Sequence, residues 1–289
     1  MFFTFKRSSI FIIIACILLV SLSFSLKDSI LSSASVNDEK FALPILMYHH
    51  FSKNKADTNQ YVISPESFEE DLIYITQKGY TTVSISDLQN FIQNGKSLPK
   101  KPIMITVDDG YLSFYEYAYP LLKKHNCKAV LSVIGFYTEF YSAFEKKDVR
   151  YTHVTFGDIK DMLSSGLIEI GNHSYNMHNL KKRHGIKKLE SESTEQYKNF
   201  LCEDILNTQK LLEDKVNYIP YIYTYPFGYH SSFTDNIIKE LKFSASFICE
   251  EKINYIGKTS SLFNLCRFNR AGNTNFKSFF KKIENKIAF

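Results

Sequence analysis

Apolar residues along this chain alternate between two periods. Short, nearly continuous apolar or β-branched runs at 45–48, 81–84, 103–107, 128–134, 167–170, 221–225, 243–248 and 265–269 predict buried strands. Between them, apolar positions recur every three or four residues and predict helices. The first opens at Ser64-Pro65, carries Phe68, Leu72 and Ile75, and stops at Gly79. Others are expected from Ser86 to near Gly95, over 114–125, over 155–165 before Gly166, over 193–214, after Ser232, and over 275–286. The stretch 136–151 is aromatic, charged and without period, which reads as a loop or insertion. Strand and helix thus alternate about seven times, and a right-handed βαβ series of that length closes most simply into a distorted, TIM-like (β/α)7 barrel. In such barrels reactive side chains gather at the carboxyl ends of the strands, where His49, Asp108, Asp109, His173 and Pro226 all fall.

The amino terminus departs from this pattern. Lys6 and Arg7 precede an apolar run of about seventeen residues, at the short limit for a membrane span. Positive charge ahead of that run predicts an internal amino terminus with the rest of the chain outside. Three segments follow: a signal or anchor over 1–26, a polar linker over 27–42, and one barrel-sized domain over 43–289. An uncleaved anchor in the cell membrane is preferred to a cleaved signal, and lipidation at Cys16 ranks behind both. The expected location is extracytoplasmic, membrane-anchored or secreted at the cell surface.

Composition narrows the classes. With 289 residues and 44% hydrophobic content the chain can bury one substantial core, which excludes a disordered protein. The net charge of +5 is spread along the sequence and gives no nucleic-acid signature. Cys16, Cys127, Cys202, Cys249 and Cys266 show no Cys-x-x-Cys spacing, so neither a zinc-thiolate site nor a disulfide framework is expected. Trp is absent, which leaves Tyr and Phe as the residues for aromatic stacking.

Candidate chemistry begins where the run 103–107 ends in Asp108-Asp109-Gly110. Neighbouring side chains on a strand face opposite ways, so both acids serve one site only if the chain turns between them, which Gly110 permits. Taken alone, Asp-Gly is also a common solvated turn. A second apolar run leads into His173 and His178, and imidazole is the commonest neutral metal ligand. Their separation of five does not suit one helical face and belongs on a strand-to-loop corner. Together the acids and imidazoles outline a two-histidine, one-carboxylate site with room for water. His125, His153, His184 and His230 show no partner pattern and are expected at the surface or in loops.

Thr106-Val107-Asp108-Asp109-Gly110 resembles the Thr-Phe-Asp-Asp-Gly motif of the polysaccharide deacetylases, the NodB-like carbohydrate esterase family 4. His173-Ser174 with His178 resembles the His-Ser/Thr…His motif, in the spacing of the branch acting on poly-N-acetylglucosamine. Tyr225-Pro226-Phe227-Gly228 is similar to the third motif, and 44–49 to that branch's opening strand. The resemblance covers about residues 44 to 270 and implies a NodB-type barrel. It further implies that Asp109, His173 and His178 hold a divalent metal, zinc first, with cobalt, nickel or iron(II) as alternatives. Asp108 would then be the general base, His49 rather than His50 the acid, and Tyr225, Pro226, Phe227 and Gly228 the substrate and oxyanion segment. Many family members carry Arg two residues before the third motif's proline. Thr224 stands there in this chain, so Arg267 or Arg270 is expected to orient Asp108 instead.

The activity implied is removal of N-acetyl groups from an N-acetylglucosamine polysaccharide, poly-β-1,6-N-acetylglucosamine of biofilm first and peptidoglycan second. A non-catalytic glycan-binding protein is the competing class. A glycosidase using Asp108 and Asp109 is disfavoured, because its two carboxyl groups must flank a bond about 5 Å or more apart.

Overall fold

In the computed structural model, residues 40–144, 148–180 and 183–287 are described. The expected membrane segment 1–26 and most of the linker lie outside them. Among the described residues, no helix is long and apolar enough to cross a membrane. Phe41 and Ala42, assigned above to the linker, are already part of the domain. They belong to β1 (Phe41–Leu43), which runs antiparallel to a later strand with Phe41 opposite Ile256.

The remaining elements follow in chain order. They are β2 (Ile45–Tyr48), β3 (His50–Phe51), β4 (Val62–Ile63), α1 (Pro65–Gln77), β5 (Thr81–Thr82), α2 (Ile85–Asn94), β6 (Pro102–Val107), α3 (Tyr119–Lys124), β7 (Ala129–Val133), α4 (Gly135–Ser142), α5 (Phe156–Ser164) and β8 (Ile168–Asn172). Then come α6 (Thr194–Val216), β9 (Ile222–Thr224), α7 (Ser232–Glu240), β10 (Ala245–Phe247), β11 (Asn254–Ile256), β12 (Phe268–Asn269) and α8 (Phe276–Ile287).

Seven parallel strands lie side by side in the order β10-β9-β8-β7-β6-β2-β12. A parallel bridge between Phe247 of β10 and Leu265, in the segment that leads into β12, brings the two ends of that series together, so the sheet curls into a distorted barrel. The first and last barrel strands are direct neighbours, with Leu46 opposite Phe268. β5 is shorter than the expected 81–84 strand because Ser84 leaves the sheet to cap α2, where its hydroxyl accepts the Asp87 amide and the Asp87 side chain accepts the Ser84 amide.

Alternation along the strands separates two apolar layers. Ile103, Ile105 and Val107 of β6 and Ala129, Leu131 and Val133 of β7 pack outward with Phe68, Leu72, Ile159 and Leu212 of the surrounding helices. Met104 and Val130, in the opposite phase, pack with Ile45, Ile222, Ala245 and Phe247. Higher on this inner face the side chains turn polar. Ser132 and Thr224 share a hydrogen bond of 2.6 Å, and Thr106 donates its hydroxyl to the Leu46 carbonyl. Asp108 follows Met104 and Thr106 in step two, which aims it into the barrel rather than at the helices.

Two further elements differ from the sequence expectation. The expected helix over 114–125 starts as a wide π turn over Phe114–Ala118 and becomes regular only in α3. Pro120 supplies the reason, since it donates no amide and its ring crowds the carbonyl four residues back. The stretch 136–151 is not wholly a loop, because α4 spans Gly135–Ser142.

Candidate metal centre

Asp109 occupies a left-handed backbone conformation, φ 71°, and Gly110 continues it at φ 76°. A non-glycine residue held there costs of order 1–3 kcal/mol, and the surroundings enforce it. Leu112 donates its amide to the Thr152 carbonyl and Val154 to the Gly110 carbonyl, so the 152–154 segment braces the corner. A Cβ on Gly110 would sit 3.0 Å from the Val133 side chain, so the corner also lies tight against β7. The turn therefore occurs at Asp109 itself and brings its carboxylate to the rim beside that of Asp108.

β8 delivers His173 to the same point. Its Nδ1–H donates to the Thr224 carbonyl at 2.8 Å, which leaves the Nε2 lone pair facing the rim. That Nε2 lies 3.5 Å from Asp109 Oδ1, and His178 Nε2 lies 3.3 Å from the same oxygen. Ligand atoms of Asp109, His173 and His178 all fall within 4.8 Å of one another. Asp109 Oδ1 is buried and, among the described residues, has no partner in hydrogen-bonding geometry. An anionic oxygen left bare between two imidazole nitrogens is costly without a cation, so the donor set fits a divalent metal. Burial would raise the Asp109 pKa, but the neighbouring imidazoles outweigh it and hold the acid well below the usual range. The two imidazoles are driven apart: burial and the nearby His173 push His178 down to about 4, whereas the Asp109 and Asp108 carboxylates overcome burial and raise His173.

Asp108 is held apart from this triad by Arg267, whose guanidinium donates from Nη1 to Oδ1 at 2.7 Å and from Nη2 to Oδ2 at 2.8 Å. Arg267 is itself fully buried, with further donations to the Ile248 carbonyl and the Thr106 hydroxyl. Burial alone would raise the Asp108 pKa, but the Arg267 charge outweighs it and keeps the acid ionised. Arg270 does not do this. Its guanidinium pairs with Asp71 at 2.8 and 3.2 Å, and Tyr48 donates to the same carboxylate.

His49 lies close enough to Asp109 and Asp108 to feel both charges, while burial, the largest influence, lowers its pKa. Its Nδ1 is buried and without a hydrogen-bond partner among the described residues, and its ring meets Tyr61 edge-on at 5.0 Å. His50 turns elsewhere, with Nδ1 2.8 Å from the Ser113 hydroxyl and its ring against Tyr111.

The Tyr225–Gly228 segment divides. Tyr225 is fully buried and donates its hydroxyl to Asp235 Oδ1 at 2.7 Å, so its side chain belongs to the packing under α7 and not to the rim, against expectation. Pro226 is buried as well, and Gly228 closes the turn by donating its amide to the Tyr225 carbonyl. Phe227, at φ 56°, stacks its ring on His178 with centroids 4.3 Å apart.

Of the other histidines, His125 lies in a turn and His184 and His230 in exposed loop positions, whereas His153 departs from the expected surface or loop role. His153 is 6% exposed and enclosed by Tyr111, Tyr137 and Tyr141, with centroids 4.4 to 5.6 Å away. His125 pairs with Glu69, and His230 approaches Asp235. Asp204 of α6, which holds the backbone between His173 and His178, belongs to no motif and had no signal in the sequence beyond its place in a helix. Among the described residues Cys127, Cys202, Cys249 and Cys266 are free thiols, and Cys16 lies outside them.

A curled parallel sheet with two carboxylates and two imidazoles on its carboxyl rim defines the class: an α/β barrel with a candidate metal site. Residues 95–246 match the polysaccharide deacetylase family, and the chain belongs to that family. It is 23% identical over 258 residues to the poly-β-1,6-N-acetyl-D-glucosamine N-deacetylase of Escherichia coli strain K12, covering 82% of this chain and 38% of that protein. The protein of the same name from Staphylococcus aureus strain MRSA252 is 26% identical over 205 residues, covering 70% and 66% respectively. The chain thus spans well under half of the Escherichia coli relative and just under two thirds of the staphylococcal one. Among solved structures, a de-N-acetylase from Aggregatibacter actinomycetemcomitans superposes with a TM-score of 0.73 at 25% identity, over 83% of this chain and 99% of the other. IcaB from Ammonifex degensii shares the fold with a TM-score of 0.67 at 24% identity, over 84% and 96%.

Proposed function

We propose that this protein is an exported, metal-dependent N-deacetylase of an N-acetylglucosamine polysaccharide, with poly-β-1,6-N-acetylglucosamine as the first substrate. The observation that carries this reading is the bare, buried Asp109 Oδ1 lying 3.3 and 3.5 Å from two imidazole nitrogens, beside a second carboxylate held ionised by Arg267. The names of the Escherichia coli and Staphylococcus aureus relatives support the β-1,6 polymer over peptidoglycan. Export rests on the charged and apolar pattern of residues 1–26.

Asp109, His173 and His178 would hold the cation, zinc or a neighbouring divalent ion, which when bound supplies Lewis-acid activation of water and of the acetyl carbonyl. The chain's own residues do the rest. Asp108, kept ionised and oriented by two hydrogen bonds from Arg267, takes a proton from the water that attacks the amide carbon. A backbone amide near Phe227 steadies the oxyanion. His49 protonates the departing amine as the C–N bond breaks, so one water and one N-acetyl group yield acetate and a free amino sugar.

Loading the full chain with Zn2+ or Co2+ and measuring acetate released from poly-β-1,6-N-acetylglucosamine and from peptidoglycan tests this. Release from the first polymer, abolished in Asp109→Ala, is expected. Release from peptidoglycan alone would reassign the substrate. Binding of either polymer without release, unaltered in Asp109→Ala, would establish a glycan-binding protein instead.

A further inference from the structure

Between the two imidazoles the chain makes a tight loop over residues 173–178. Ser174 is left-handed at φ 70°. Its amide donates to Asn172 Oδ1 at 2.9 Å, and its hydroxyl accepts the Met177 amide at 3.2 Å. The two amides in the middle of the loop go to a different element. Tyr175 donates to Asp204 Oδ1 and Asn176 to Asp204 Oδ2, each at 2.8 Å. Asp204 lies on α6 and is 7% exposed. Among the described residues no cationic side chain pairs with it; burial raises its pKa, and only the two backbone hydrogen bonds oppose that.

A buried carboxylate without a counter-ion is costly to keep in a helix that needs only an apolar residue there for packing. What it supplies is a double acceptor that a neutral side chain lacks, since an amide would turn donors toward one of the two N–H groups. The loop is gripped from its carbonyl side as well, where Gly135 and Phe136 of α4 donate to Ser174 and Tyr175. Two histidines five apart share no face of a helix or strand, so their convergence depends on how this loop is held.

We infer that Asp204 is a positioning residue for the metal centre: by accepting the Tyr175 and Asn176 amides it sets the loop so that His173 and His178 present Nε2 to one point beside Asp109. The inference rests on reading Asp109, His173 and His178 as cation ligands. Asp204 touches no ligand atom and acts through the backbone alone.

Co2+ is the probe, because its visible spectrum reports ligand geometry. The full chain, Asp204→Asn, Asp204→Ala and the exposed neighbour variant Glu203→Gln are titrated with Co2+ against a chelator. Wild type and Glu203→Gln should bind alike, whereas both Asp204 variants should bind about tenfold more weakly or worse, with an altered spectrum. Folded Asp204 variants with wild-type affinity and spectrum would overturn the inference. Where the variants do not fold, amide hydrogen exchange in the wild-type chain decides: Tyr175 and Asn176 should be strongly protected, and exchange at the rate of an open loop would refute the hold. A wild-type chain that takes up no Co2+ overturns the deacetylase reading and this inference with it. Normal wild-type uptake with unaltered Asp204 variants sinks the inference alone.

Discussion

Two buried arginines three residues apart carry different burdens. Arg267 grips Asp108 with both Nη atoms, and Arg270 grips Asp71, which links α1 to the Tyr48 hydroxyl on β2. Removing either leaves a buried carboxylate uncompensated, at a cost of about 3–5 kcal/mol. Their effects on turnover should separate. Arg267→Lys keeps the charge but loses the planar fork, so kcat should fall roughly ten- to a hundredfold with KM little changed. Arg270→Ala should lose comparable stability to Arg267→Ala while kcat per folded molecule stays near wild type. Steady-state kinetics with denaturant unfolding on each variant checks this, and equal loss of kcat in both would mean that Arg267 has no special hold on the base. That Arg267 rather than Arg270 reaches Asp108 was not readable in the sequence, because both lie at the same strand and only packing against Ile248 and Thr106 selects one.

At the level of elements, the closing seam of the barrel deserves a test of its own. β12 lies beside β2, and the chain just beyond β12 crosses β4 at Gly272. The Gly272 amide donates to the Asn59 carbonyl, and a Cβ there would fall 2.0 Å from the Val62 carbonyl oxygen and 2.8 Å from Ile63 Cα. Both neighbours are backbone, so no rotamer change relieves the clash. Gly272→Ala should therefore destabilise the domain by roughly 1–3 kcal/mol and displace Tyr61, which lies over His49. Urea unfolding together with kcat measures both effects, and unchanged stability would show that the crossing is looser than described. The helix α4 has a different lesson. Phe136, Phe140 and Phe144 repeat at helical spacing, as do Tyr137 and Tyr141, and neighbouring rings within each stripe lie 4.7 to 6.5 Å apart. Two adjacent aromatic stripes hid the period, because neither face of the segment reads as polar.

For the molecule as a whole, the proposed ligands come from two strand ends separated in sequence by more than sixty residues, so cation binding ties β6 to β8 and should favour the folded state. At a free metal concentration of about a hundred times Kd the gain is about 2.7 kcal/mol. Calorimetric unfolding should show the midpoint rising with Zn2+ or Co2+ and falling again with chelator, and Asp109→Ala should abolish the response. A midpoint indifferent to both additions would remove the basis for a metal centre. The mild net charge of +5 has no part in this effect, which is local to the rim.

The alternation of strand and helix, the two acids at the end of β6 and the two histidines after β8 could all be found from residue order. Local rules govern them: side-chain period, caps, glycine and proline placement, and the chemistry of imidazole and carboxylate. Several things depended on the folded chain alone: which arginine meets Asp108, that Tyr225 points away from the rim, that His153 is caged by tyrosines, and that Asp204 holds the histidine loop. Each of these is a contact between different elements of the fold, most of them distant in sequence. Such contacts are selected by how strands curl and helices pack around them, and a linear pattern carries no record of that choice.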